Sequence, residues 1–61
     1  MNVKIARIKM GLTQKQLAKK AGISPVTLVR IEKGNIESIR LKTLKAIAKV
    51  LNSNIEELFL N

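Results

Sequence analysis

Twelve Lys and Arg side chains face only four Asp and Glu in this 61-residue chain, and neither Cys nor His accompanies them. That inventory fixes the available chemistry. Without imidazole or thiol there is no nucleophile–base pair, no thiolate metal site and no disulfide framework. No glycine-rich phosphate loop follows a strand pattern. An enzyme is therefore not expected, nor is a metal or a cofactor. What is left is electrostatic attraction and hydrogen-bond donation. The cations are unevenly spread: residues 1–34 carry eight with one acid, Glu32, whereas residues 35–61 carry four with three acids. Such a positive field on one half points to a polyanion, most often nucleic acid, with a merely solvated cationic surface as the plain alternative. Phe59 is the only aromatic residue. Binders of RNA and single strands stack bases on aromatic platforms, so duplex DNA is the better expectation.

Donors that are to meet a duplex need a rigid frame, and the punctuation of the chain supplies one. Five helices are expected, over 3–10, 14–21, 25–33, 41–51 and 55–60, with no strand. Asn2 is placed to cap the first, and Gly11 to take its left-handed exit. Thr13 with Gln16 three residues later forms a capping box for the second, which Gly22 ends. Ser24-Pro25 is an N-cap followed by the residue whose missing N–H costs nothing there, and Gly34 stops that third helix. Leu44, Ile47, Ala48 and Leu51 fall at the spacing of one buried stripe. Asn52 is an αL exit, and Asn54 with Glu57 caps a last short helix. No long linker, repeat or low-complexity tract interrupts this order. The whole chain, 1–61, is expected to be one small all-α domain, burying only about 60% of the surface its unfolded form exposes. No apolar run nears the ~18 residues of a membrane span. The opening MNVKIARIKM lacks the apolar core of a signal peptide, so the expectation is a cytoplasmic chain.

Two brief helices joined at a glycine turn follow the helix-turn-helix plan. Ala18 is small where the helices must cross, Gly22 tolerates positive φ, and Leu17, Ala21, Ile23, Leu28 and Ile31 are apolar where the pair must lock. With Gly11-Leu12-Thr13-Gln14, Leu17-Ala18, Ala21-Gly22-Ile23-Ser24, Ile31-Glu32-Lys33-Gly34, Thr43-Leu44, Ala48 and Leu51, the chain resembles the phage-repressor-like (Cro/repressor, XRE-type) helix-turn-helix domains. The resemblance covers nearly all of the chain and implies a compact five-helix, lambda-repressor-like fold. It also implies a DNA-binding transcriptional regulator, most often a repressor, whose third helix enters the major groove.

In that geometry the N-terminal part of the third helix meets base edges. Pro25, Val26, Thr27 and Arg30 are the base-readout candidates, with Val29 beside them. Thr27 can hydrogen-bond a base, Val26 and Pro25 suit a thymine methyl, and Arg30 can pair with guanine. Thr13, Gln14, Lys15, Ser24, Lys33, Asn35 and Arg40 are the phosphate candidates. Among these, Gln14 matches the family position that grips the backbone and braces the recognition helix. Lys19, Lys20, Lys45 and Lys49 are expected on solvated faces. The resemblance also pairs Arg7 with Glu32 as a partly buried structural ion pair.

The chain departs from the family in three places. Ile39 stands where a proline is common, and Ser53 at a usually apolar position suggests looser docking of the last helix. Ile5 and Ile8 lie opposite Val3, Ala6 and Met10, which are expected to face inward. Relatives commonly dimerise through the last helix, which implies a homodimer on a palindromic duplex site. Ile55, Leu58 and Phe59 should pack inward, with Leu60 exposed beside the rim of Phe59 and only Asn61 beyond it. Phe59 and Leu60 are thus the dimer-surface candidates. The rival function is an antitoxin-type module that grips a protein partner through Ile5, Ile8 and the Leu58-Phe59-Leu60 end while regulating its own operon. A cationic membrane-surface peptide is a third class, but it would have no use for the caps and glycine turns.

Overall fold

Local hydrogen bonds at the helix ends set the architecture. In the computed structural model, which describes residues 2–60, the helices are α1 (Val3–Lys9), α2 (Gln14–Ala21), α3 (Pro25–Glu32), α4 (Leu41–Val50) and α5 (Ile55–Phe59), with no strand among the described residues. At the start of α2 the Thr13 hydroxyl accepts from the Gln16 N–H at 3.0 Å, and the Gln16 side chain accepts from the Thr13 N–H at 2.9 Å. Both halves of the capping box are formed. The helix ends at Gly22, φ +73°, where the Ile23 N–H donates to the Ala18 carbonyl at 2.9 Å. Ser24 then accepts from the Thr27 N–H at 3.1 Å to open α3, with Pro25 in its first turn. Asn54 caps α5 in the same way, accepting from the Glu57 N–H at 2.8 Å.

Every helix contributes to one core. Val3 of α1, Leu17 of α2, Leu28 and Ile31 of α3, Ile47 of α4 and Leu58 of α5 are its largest fully buried side chains. Ala18 is buried as well, which lets α2 approach its neighbours closely. Ala21 and Ile23 are half-buried against this cluster. In the 35–40 loop, Ile36 and Ile39 lean on the core, so Ile39 holds by burial a path that a proline would hold by stiffness. Ser53 does not loosen α5, because Leu58 and Phe59 are both buried.

The ends of four helices and one inward face differ from the sequence expectation. Lys9, Glu32, Val50 and Phe59 close α1, α3, α4 and α5, and the residue that follows each serves as its cap. Asn2 does not cap α1 with its side chain. Instead its N–H donates to the Leu58 carbonyl at 3.0 Å and its Nδ2 to the Glu57 carbonyl at 3.2 Å, tying the start of α1 to α5. Met10 is 48% exposed rather than inward, because the helix has ended before it. The inward face of α1 is Val3, Ala6 and Arg7. The buried arginine explains why apolar periodicity located that face poorly.

A Cβ at Gly22 would meet nothing within 4 Å, so only its positive φ demands glycine. Gly22→Ala should destabilise the domain by about 1–2 kcal/mol through backbone strain alone. Gly22→Asn should cost less, since Asn tolerates this conformation. Urea unfolding of the two variants checks this, and equal losses would mean that the turn is held by something other than backbone conformation.

Candidate nucleic-acid interface

The outward row of α3 begins at its capped N-terminus. Pro25, Val26 and Arg30 are exposed, Val26 at 70%, whereas Thr27 and Val29 are half-buried. The row is short because Leu28 and Ile31 point into the core. The Thr27 hydroxyl lies 2.9 Å from that of Ser24, so one polar group is already positioned by another. Arg30 leans toward the following loop, where its Nη2 donates a long 3.4 Å bond to the Ser38 hydroxyl. The planar fork of Arg30 thus has a resting position but no strong partner.

Beside this row lies the N-terminus of α2. The first N–H groups of any helix lack intrahelical partners, and Thr13 satisfies only that of Gln16. The amides of Gln14 and Lys15 therefore begin a helix end suited to an anion. The Gln14 side chain is braced, since its Nε2 donates to Glu32 Oε1 at 3.1 Å. Arg7 holds the same carboxylate from the other side, with Nε to Oε2 at 2.7 Å and Nη2 to Oε1 at 3.4 Å. Its Nη1 donates to the Leu12 carbonyl at 2.8 Å. The two side chains of the ion pair are only 10% and 5% exposed. Among the described residues, no buried side-chain N or O lacks a partner. The pairing also changes the local field. Glu32 is paired with Arg7 inside the protein, so its charge is offset there rather than against the exposed Lys15, Arg30, Lys33 and Arg40.

The candidate phosphate residues Thr13, Lys15, Ser24, Lys33, Asn35 and Arg40 are all exposed, and Gln14 is half-buried. They come from the N-terminus of α2, both ends of α3 and the loop before α4. Glu37 and Ser38 escaped the sequence reading. Both line a cleft of about 340 Å³ with Arg30, Gly34 and Asn35. Glu37 is thus an acid beside the basic row, placed there by the path of the loop. At the other end, Phe59 is 6% exposed and belongs to the core, whereas Leu60 is 70% exposed. Of the two dimer-surface candidates, Leu60 alone is free to make a contact, because α5 turns the Phe59 ring inward. No cluster of His, Cys, Asp or Glu able to hold a metal occurs among the described residues.

Residues 3–58 match the helix-turn-helix family model. An "Uncharacterized HTH-type transcriptional regulator" of Archaeoglobus fulgidus is 44% identical over 54 residues, which is 88% of this chain and 76% of that protein. One of the same description from Methanocaldococcus jannaschii is 41% identical over 58 residues, or 95% of this chain and 86% of the relative. A local likeness, 38% identity over 52 residues, also joins 85% of this chain to 5% of the glutamine–fructose-6-phosphate aminotransferase of Methanocaldococcus jannaschii. No solved structure matches the chain.

Removing Arg7 would strand a buried carboxylate, at a cost of roughly 3–5 kcal/mol. Arg7→Ala should therefore lower the melting temperature by more than about 10 °C in a domain of this size, while Lys9→Ala, at an exposed position, should leave it nearly unchanged. The double variant Arg7→Met, Glu32→Leu should recover part of the loss. Thermal melts followed by circular dichroism decide the matter, and similar small shifts for Arg7→Ala and Lys9→Ala would mean the pair is not effectively buried.

Proposed function

The chain belongs to the helix-turn-helix family of DNA-binding transcriptional regulators, and from that we propose that it acts as a repressor that lays α3 in the major groove of a two-fold operator. The observation that carries this reading is the bracing of α2 against α3. Gln14, at the anion-accepting start of α2, is bonded to Glu32 of α3, so a phosphate gripped by one helix fixes the angle of the other. Phosphate contacts position a protein on the duplex, and base contacts give it sequence preference. Thr13, Gln14, Lys15, Ser24, Lys33, Asn35 and Arg40 take the first role. Pro25, Val26, Thr27 and Arg30 take the second, with the apolar pair suited to thymine methyls and the Arg30 fork to guanine O6 and N7.

A single recognition helix reads few base pairs. A homodimer doubles the readout across half-sites about 34 Å apart, and exposed Leu60 is the residue we assign to its contact. No helix among the described residues is long and apolar enough to cross a membrane. We place the protein in the cytoplasm, with no catalytic role and no cofactor. A second reading, a module that also grips a protein partner, draws on the exposure of Ile5 and Ile8 on α1, at 54% and 57%.

Binding to duplex DNA should weaken linearly in log affinity against log salt, with a slope of about −0.9 per phosphate neutralised. Gln14→Ala should weaken binding to every sequence. Arg30→Ala should instead cost roughly 1–3 kcal/mol at a single base pair and relax preference there. Fluorescence anisotropy on a selected site and on random duplex separates these, and an equal loss on both for Arg30→Ala removes it from base readout. Leu60→Glu should abolish cooperative occupation of paired half-sites while the monomer stays folded. Cooperative binding by that variant would move the interface to Ile5 and Ile8.

A further inference from the structure

Where α1 ends, between the body of α2 and the last turns of α4, lies a cleft of about 630 Å³ lined by Met10, Leu12, Lys20, Ala46, Lys49 and Val50. No residue of α3 borders it. Its volume falls within the roughly 300–1,000 Å³ of small-molecule sites. Thioether and hydrocarbon line most of it, and its only charges are the two exposed lysines. Neither lysine has an ion-pair partner among the described residues.

Three kinds of occupant fit poorly. A second copy meeting this face symmetrically would set Lys20 and Lys49 against their own counterparts with no acid between them, on chains that each carry +8. A stable protein partner needs about 800 Å² per side, a large share of a total surface of 4281 Å² and far beyond six lining residues. Duplex DNA would engage the lysines and leave the apolar floor wet. The chemistry that satisfies all six residues is a small anion with an apolar body. The flexible methionine can fold over such a body, and the lysine stems can bring their charges to its head.

We propose that this cleft binds a small amphipathic carboxylate of the medium-chain aliphatic class. Its head lies between Lys20 and Lys49, and its hydrocarbon lies on Met10, Leu12, Ala46 and Val50. The position has a further meaning, because Leu12 borders the cleft while its carbonyl accepts from Arg7 Nη1 at 2.8 Å. A bound ligand therefore touches a residue that holds the Arg7–Glu32–Gln14 network.

The test uses octanoate below its micellar concentration as probe, titrated into the isotope-labelled full chain without DNA, so its result is independent of the proposed function. Saturable amide shifts are expected at Leu12, Lys20, Ala46, Lys49 and Val50. Propionate, which lacks the body, and octylammonium, which reverses the head, should not reproduce them. The double variant Lys20→Gln, Lys49→Gln alters two exposed side chains and should stay folded, yet bind roughly tenfold more weakly, as the loss of two solvent-exposed ion pairs implies. Ala46→Glu, which adds an acid to the floor, should abolish binding. The proposal is overturned by an absence of saturable shifts, by shifts spread over lysines outside the cleft, by equal binding of octylammonium, or by undiminished affinity in the double variant.

Discussion

One carboxylate joins three helices. Glu32 of α3 accepts from Arg7 of α1 and Gln14 of α2, while Arg7 also holds the chain at Leu12, just ahead of α2. Apolar burial brings these helices together but is non-directional, so it does little to fix their rotation about one another. A guanidinium fork on a carboxylate does fix it, because the donors lie in a plane. Taking both charges out of water costs several kcal/mol, so the pair adds little net stability over an apolar pair of the same volume. What it adds is orientation, at the junction between the helix that begins with Gln14 and the helix that presents Arg30. It also removes the one acid of the basic half from the field that phosphates would meet.

The scale of the domain explains why so much rests on a few bonds. No helix among the described residues exceeds ten residues, and isolated helices shorter than about 12–15 residues are marginal in water. Each must be held by a few buried side chains, and α2, α3 and α5 also by a side-chain cap. Three caps of one kind, at Thr13, Ser24 and Asn54, each accept an N–H three residues ahead. With one large fully buried side chain from each of α1, α2, α4 and α5 and two from α3, little of the innermost core is redundant. The loop before α4 follows the same economy, with Ile36 and Ile39 anchoring it from within.

What could be read from the sequence was mostly what is local. Thr13 with Gln16, Ser24 with Pro25, and the turns at Gly22, Gly34 and Asn52 all act within a few residues, and each stands where spacing put it. The buried stripe of α4 was legible for the same reason. Partners far along the chain were not. Asn2 looks like a cap by type, yet its side chain bonds a carbonyl 55 residues away. Arg7 breaks the apolar pattern of α1, and spacing alone cannot show that a residue 25 positions on will satisfy it; resemblance to a family suggested that pairing. Met10 fell on the right stripe but past the end of the helix. In the candidate interface, Arg30 and its loop neighbours Glu37 and Ser38 are brought together by the path of the loop, which has no periodicity to read.

The bonds from Asn2 to the carbonyls of Glu57 and Leu58 make the described chain nearly a closed ring. Chain order and spatial order are then partly separable. A short linker across that junction, with the chain reopened in the exposed part of the 35–40 loop, would give a circular permutant in which α4 and α5 precede α1, α2 and α3. The Arg7–Glu32–Gln14 junction would then lie within one uninterrupted segment of the new order, and the loop beside Arg30 would carry the new ends.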